Sequence, residues 1–461
     1  MSVIERPYGL ASLTESLAGS VVFPDHPSWD DAREAYNLAV DQQPAAVAFP
    51  ADAADVQAIV RYAAAQGLRI APQRTGHNAS PIESLDGVVL LKTDRLDTVE
   101  LDPIALRGRV GAGVKWESVV PRASDLGLAV LHGSTPDVSI AGYGLGGGLG
   151  WYGRKHGLFT NSITAIELVT ADGQLRRVDH DNEPELFWAL RGGGGNFGVV
   201  TALEFRLFPI SELYAGALFF PWERSAEVLH AWRAWTETVP DEVTSVGRIM
   251  QFPPLELVPE GLRGQAFAIV HAYSLGSETE GVERLAPLRA LGPAIDTVRM
   301  VPPVELSEMH MDPPDPLPYL GEHLVLGDLP ASAIDDFVTA GGPGSGSGLV
   351  SVEVRHVGGA LGRGGDGHGA LDKLPGDFVY FGIGMASDET EAAATRESLH
   401  RVTDTLRPYR TGSYLNFEED PADPASFYGA DTYRRLRAVK AAVDPDELFR
   451  ANHTIPPAAR S

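Results

Sequence analysis

No cysteine occurs among the 461 residues. That absence excludes disulfides, thiolate nucleophiles, cysteine-ligated zinc and iron–sulfur clusters together. Basic residues are scarce: Lys and Arg number 37 against 62 Asp and Glu, a net charge of −25. A field of that sign repels phosphate backbones and anionic lipid, so neither nucleic acid nor a membrane is an expected partner. The charges are dispersed rather than blocked into a tail, which reads as an acidic, solvated surface. Long apolar runs are missing, and the opening MSVIERPYGLASLTESLAGS has no basic segment leading into an apolar one. These absences point to a cytoplasmic protein, and no metal site is expected.

With 44% hydrophobic and 21% charged residues, the chain is globular and long enough for two domains. Asp52 caps an amphipathic helix that Gly67 ends, and strands are expected at 68–71, 88–91 and 107–114. A helix is expected over 116–126, then a hairpin of 163–170 and 174–178 across Asp172-Gly173, then a strand over 199–208. Beyond Pro209 the texture changes. A Trp-rich helix (225–239), a capping box at Ser277 and Glu280, strands near 265–273, 349–357 and 378–386, and a long helix over 389–406 follow. This organisation predicts an α+β protein with a first domain at 1–210, an inserted one at 211–410, and a return to the first at 411–461.

Two glycine clusters carry the chemistry, GYGLGGGLG at 142–150 and GGGGNFG at 192–198, with the loop QRTGH at 73–77 upstream. Glycine lets backbone N–H groups approach a flat or phosphorylated ligand closely. Gly142 to Gly147 formally satisfies the G-x-G-x-x-G of a dinucleotide-binding turn, and Glu167 follows at a suitable distance. The context disagrees, because that motif must open a helix. Here Gly148-Leu149-Gly150-Trp151-Tyr152-Gly153 follows, a poor helix start. His77 taken alone reads first as a loop histidine capping a carbonyl; the sharper alternative is a nucleophilic tether, since neutral imidazole is a good nucleophile.

The order of motifs is more specific than any one of them. Strand-QRTGHNAS, GSTPDVSIAGYGLGGGLGWYGRKHGLFTNS, ELFWALRGGGGNFGVVT and a C-terminal YLNF occur in sequence. That series resembles the FAD-linked oxidases of the vanillyl-alcohol oxidase fold, in the berberine-bridge-enzyme-like group. The resemblance covers the first two hundred residues and the last fifty, and it touches the middle only through RHVGGALGR at 355–363. It implies a two-part PCMH-type FAD-binding domain with an inserted antiparallel-sheet substrate domain flanked by helices.

By the same resemblance, His77 corresponds to the histidine bonded to the flavin 8α carbon. The family loop usually reads R-S-G-G-H, so Thr75 stands where glycine is usual. Arg74, Thr75, Gly76 and Asn78 would then cradle the pyrophosphate. A second, cysteinyl bond is made by many members from a G-x-C-P-x-V segment. The matching stretch is Gly133, Ser134, Thr135, Pro136, Asp137 and Val138, with Thr135 at the cysteine position, so only one bond is chemically open. Val138 matches the family's oxygen-gate position, where a small valine resembles the oxygen-reacting members. Further cofactor contacts are implied for Gly133, Ser134, Thr135, Asp137, Val138, Gly142, Gly146, Gly147, Gly148, Asn161, Gly195, Phe197, Gly198, Val199, Asn416 and Asn452.

Tyr414 and Asn416 are the implied working end, placed on one face of a strand by their spacing of two. Tyr414 resembles the tyrosine that takes the substrate's hydroxyl proton, for which its usual pKa of about 10 must fall; it reads alternatively as a packing or positioning residue. Arg355 and His356 lie on opposite faces of a strand, His356 with the valines at 350, 352 and 354. Arg355 is a candidate substrate contact, and His356 is equally a core histidine or a substrate contact. The expected activity is oxidation of a small-molecule CH–OH, with FAD bonded to His77 and molecular oxygen reduced to hydrogen peroxide. The rivals are a dehydrogenase of the same fold using another acceptor and a non-catalytic flavin-binding protein.

Overall fold

The computed structural model describes residues 11–14, 17–82, 84–254, 256, 258–313 and 315–459. The first ten residues, read above for a leader, lie outside the described residues, as does Pro314 of the proline-rich loop. Three sheets organise the chain. The first orders β1 (Ser20–Val22), β2 (Ala46–Phe49), β4 (Val88–Lys92) and β3 (Arg69–Gln73), with β4 parallel to both β2 and β3. The Asp52-capped helix Ala53–Gln66 crosses from β2 to β3, and Gly67 ends it in the left-handed conformation that glycine adopts without a Cβ penalty.

The second sheet is antiparallel, in the order β5 (Val99–Asp102), β6 (Arg107–Gly111), β9 (Val199–Arg206), β7 (Ile163–Val169) and β8 (Leu175–Asp179). Its strand β6 stops earlier than the alternation suggested. At Gly113 an added Cβ would stand 2.1 Å from the Thr93 carbonyl oxygen, so the chain turns there against its neighbour. The helix expected over 116–126 is likewise divided, into a 3-10 turn at Trp116–Ser118 and an α-helix at Val120–Asp125. Pro121 explains the break, because proline is accommodated in a first helical turn and not in the interior. One hydrophobic core runs under both sheets, from Val56 and Ile70 to Phe159, Phe197 and Phe205.

The third sheet has nine strands, all between Leu213 and Gly412: β10 (Leu213–Pro221), β11 (Val243–Gln251), β12 (Ala266–Ser274), β13 (Ile295–Asp296), β14 (Arg299–Val301), β15 (Tyr319–Leu326), β16 (Ser351–His356), β17 (Phe378–Met385) and β18 (Arg410–Gly412). Its middle runs β12-β11-β16-β17-β15, antiparallel throughout. Alternation decides the two faces. Ile249, Val352, Val354, Phe378 and Tyr380 pack with Trp232, Phe337 and Val402 from the covering helices. Arg248, Met250, Glu353, Arg355, Phe381 and Ile383 occupy the opposite face and line a cavity.

The C-terminal segment returns to the first sheet. Ile70 N–H donates to Leu448 O and Ile70 O accepts from Arg450 N–H, each at 2.8 Å. The buried Lys440 ammonium bridges Asn196 O and the Asp444 carboxylate, fixing the helix Ala430–Val443 beside the glycine loop. Asn452 and His453 are thereby carried to the cavity. Among the described residues, no helix is long and apolar enough to cross a membrane.

Candidate active site

The cavity, about 680 Å³, lies between the first two sheets and the free face of the third. His77 enters it from the loop after β3. Its ring stacks on Tyr36 with centroids 3.7 Å apart and planes 12° from parallel. Nδ1 is bonded to Thr75 Oγ1 at 2.8 Å, so the residue that departs from the usual loop sequence orients the ring. Nε2 lies 3.5 Å from Asp137 Oδ1, and neither buried atom has a hydrogen-bond partner among the described residues. Tyr319 secures the loop from above, its hydroxyl donating to His77 O at 2.8 Å.

The loop Arg74–Asn78 lines the cavity, as do Gly133, Ser134, Thr135, Val138, Gly142, Gly146, Gly195, Gly198, Asn416 and Asn452. Arg74 turns its guanidinium away to Gly113 O and Asp94. Asn452 donates its amide to Asn78 O, joining the C-terminal segment to the histidine loop. At Gly142 and Gly195 an added Cβ would meet nothing within 4 Å, so both expose bare backbone to the cavity. A wide cavity with exposed backbone and buried, unpartnered polar atoms at His77 and Asn78 fits a large flat cofactor with phosphates.

Tyr414 and Asn416 converge, though not on a strand. Residues Leu415–Phe417 form a 3-10 turn, with Tyr414 at its start. The turn brings Asn416 Nδ2 to 3.2 Å from the Tyr414 hydroxyl and 2.9 Å from Tyr143 O. The same hydroxyl oxygen accepts Gly148 N–H at 2.8 Å and Leu149 N–H at 3.0 Å. Burial nevertheless pushes the Tyr414 phenol above its usual range, against those donors and the nearby Arg355 charge. The expected lowering is therefore corrected.

Other expectations are corrected as well. His356 is on the helix-covered face of the third sheet, stacked on Phe378, with burial pushing its imidazole down to about 3; it is a core histidine, not a substrate contact. Asn161 stands off the cavity and spends its amide on the loop before β17, donating to Asp372 O and accepting Gly369 N–H. Phe197 and Val199 are in the core, and Val200 faces the cavity instead. Gly147 and Gly148 pack under Leu371, Tyr143 and Tyr414 rather than on the cavity wall, and they serve it through Tyr414. Asp137 is not on the cavity wall and lies behind it, 3.5 Å from His77 Nε2.

Of the polar roof of the cavity, sequence reading singled out Arg355 and missed the rest. His310 Nδ1 lies 2.6 Å from Asp312 Oδ1 and its Nε2 lies 2.9 Å from Glu353 Oε2. Arg355 Nε donates to Glu353 Oε1 at 2.6 Å, and Arg248 donates to Ser351 Oγ and His310 O. Thr135, at the position of the absent cysteine, donates its hydroxyl to Asp312 Oδ2 at 2.6 Å. Burial pushes both Glu353 and Asp312 up, but the surrounding positive charges prevail and hold both carboxyls well below their usual range. The alternation Ser351, Glu353, Arg355 was a usable signal for this face. Tyr36, distant in sequence from His77, offered none.

Comparison with known proteins agrees with this geometry. Residues 44–179 match the family described as FAD binding domain, and residues 413–456 match berberine and berberine like. Over those two regions the chain is similar to the berberine-bridge-enzyme-like FAD-linked oxidoreductases. The (R)-6-hydroxynicotine oxidase of Paenarthrobacter nicotinovorans is 36% identical over 215 residues, 46% of this chain and 46% of that relative. The chain thus spans about half the length of that relative in the match. The solved 6-hydroxy-D-nicotine oxidase of Arthrobacter nicotinovorans is similar over 96% of this chain and 98% of its own, at 26% identity and a TM-score of 0.82. The glucooligosaccharide oxidase of Acremonium strictum, which carries a 6-S-cysteinyl, 8α-N1-histidyl FAD, covers 98% of this chain and 100% of its own at 22% identity and a TM-score of 0.81. At that identity the last likeness speaks for the fold. The cavity around His77 lies in the part of the chain that carries the FAD binding domain match.

Proposed function

We propose that this FAD-linked oxidoreductase is an oxidase that holds its flavin by a single covalent bond through His77 and converts a CH–OH group to a carbonyl. When bound, the FAD supplies the hydride acceptor at N5 and hands the electron pair to molecular oxygen, giving hydrogen peroxide. The residues at 74–78 and the bare backbone at Gly142 and Gly195 would hold it. The observation that carries the reading is the His77 ring, fixed by Tyr36 and Thr75 with Nε2 left unpartnered. The FAD of the Acremonium enzyme is also histidyl-linked, through N1, the nitrogen that in this chain meets Thr75 Oγ1, so that likeness supports a histidyl bond and not the choice of ring nitrogen. With no cysteine in the chain, the cysteinyl bond of that enzyme has no counterpart.

Substrate lies under the third sheet, beside Tyr414. Loss of the hydroxyl proton and of a hydride from the same carbon leaves the carbonyl. Tyr414 is the acceptor of that proton in this reading: Gly148 N–H, Leu149 N–H, Asn416 and Arg355 favour negative charge on its oxygen, while burial opposes it. Acid precipitation of purified protein tests the attachment: the pellet stays yellow, and with His77→Ala the colour moves to the supernatant. A colourless wild-type pellet sinks the covalent reading. Stoichiometric peroxide release during turnover tests the acceptor.

A further inference from the structure

The polar roof gathers charged groups that the reaction alone does not require. His310 presents both ring nitrogens to carboxylate oxygens, Asp312 on one side and Glu353 on the other. The guanidiniums of Arg248 and Arg355 face the same Glu353 carboxylate.

The roof opens to the cavity at Arg355. The side chain lines the cavity and, among the described residues, hydrogen-bonds one partner, Glu353 through Nε. Its guanidinium is bracketed by aromatic rings, 5.5 Å from the Trp151 centroid and 5.1 Å from that of Phe417. Phe417 in turn packs on Tyr414 at 5.1 Å. Beside the charged roof the wall turns apolar, at Met250, Phe252, Met311, Phe381, Ile383 and Met385. A sugar chain has hydroxyls on every side, and each one buried without a partner costs about 1–3 kcal/mol. This wall satisfies few of them.

We propose that Arg355 is an anion subsite, and that the substrate is an apolar, aromatic molecule docking there through one ionised oxygen rather than an oligosaccharide. The inference rests on the oxidase reading above for the place of the substrate, but binding tests it without turnover. The probe is 4-nitrophenol titrated into the yellow holoprotein, at a pH just below the probe's own ionisation, with its phenolate absorbance and the flavin spectrum both followed. The bound probe is expected to absorb as phenolate, and its methyl ether, 4-nitroanisole, to bind about ten- to a hundredfold more weakly, the value of a hydrogen bond to a charged group. Arg355→Met should lose the phenolate band and a similar factor in affinity. Equal binding of phenol and ether overturns the proposal, and that comparison needs no variant. Absence of 4-nitrophenol binding, or its displacement by xylobiose, overturns it too. If the phenolate binds as described while no alcohol reduces the flavin anaerobically, the anion subsite stands and the oxidase reading falls.

Discussion

Asn416 Nδ2 donates to the Tyr414 hydroxyl at 3.2 Å, and the two residues meet across a tight turn rather than along a strand. Gly148 N–H and Leu149 N–H point at the same oxygen, so three donors converge on one phenol. Such an arrangement favours negative charge on that oxygen at the moment a proton is exchanged. Tyr414→Phe separates the chemical role from the packing role. Loss of the oxygen leaves three donors unpartnered in a buried place, with a stability cost of about 1–3 kcal/mol for each one left dry. If Tyr414 takes the proton, the anaerobic rate of flavin reduction should also fall about 10²–10⁴-fold. A variant with a lowered Tm and a nearly normal reduction rate would leave Tyr414 as a packing residue.

Gly146 is the close approach that keeps Asn416 in register. An added Cβ there would lie 1.7 Å from Asn416 Oδ1, so the amide of Gly146→Ala must swing away from Tyr143 O and Tyr414. Flavin reduction should slow. The sharper expectation is non-additivity: Gly146→Ala should cost almost nothing further in an Asn416→Ala background. Stopped-flow reduction rates for the two single variants and the double variant check this. Additive losses would mean that Gly146 acts on the cavity independently of Asn416.

The sequence was most legible where one local rule settles a structure. Asp52 and Gly67 delimit a helix by capping chemistry, Ser277 and Glu280 form their capping box, and the helix at Glu389–Leu406 has the expected bounds. Legibility failed where tertiary contacts override period. Tyr414 and Asn416 share a target through a turn, which a spacing of two cannot distinguish from a strand. Asn161 lies near the glycine motifs in sequence, yet its amide is consumed by the loop at 369–372. The roof needs three separated segments to meet, around Arg248, His310 and Glu353. Only the alternation of Glu353 with Arg355 gave a local trace of it.

Val138 is half-buried in the cavity wall, next to the Asp137 that faces His77. Its side chain is small enough to leave room at a position that the family resemblance assigns to oxygen access. Val138→Ile adds one methylene there, and reoxidation of the reduced protein by oxygen should slow about tenfold or more. The reduction half-reaction should change far less. Reoxidation traces after anaerobic reduction, mixed with buffers of graded oxygen content, give both rates. Unchanged reoxidation would remove Val138 from the oxygen path and favour a different electron acceptor.

Glu419 gives the chain a pH response of its own. The residue lines the cavity, and its Oε2 is buried without a hydrogen-bond partner among the described residues. Burial pushes its carboxyl up to about 8 from an ordinary 4.5; a backbone bond with Gly321 opposes the shift, and Asp420 and Glu418 add to it. Between those two values the folded chain holds a proton that the unfolded chain releases, so stability falls as pH rises. Below 4.5 both states are protonated and the contribution is full; it is lost progressively as pH rises through about 8, at about 1.4 kcal/mol per unit of separation. Glu418, pushed up to about 7, acts in the same direction and leaves a residual slope when Glu419 is neutralised. Buried histidines such as His323, pushed down to about 3, act oppositely below neutral pH, which makes the difference between variants the clean readout. Glu419→Gln removes one titration, and any packing cost of the amide is a constant offset. The Tm of the holoprotein variant relative to wild type should therefore climb steadily from pH 5 to pH 8. A difference that stays flat across that window would place the Glu419 carboxyl in contact with water, ionised in both states.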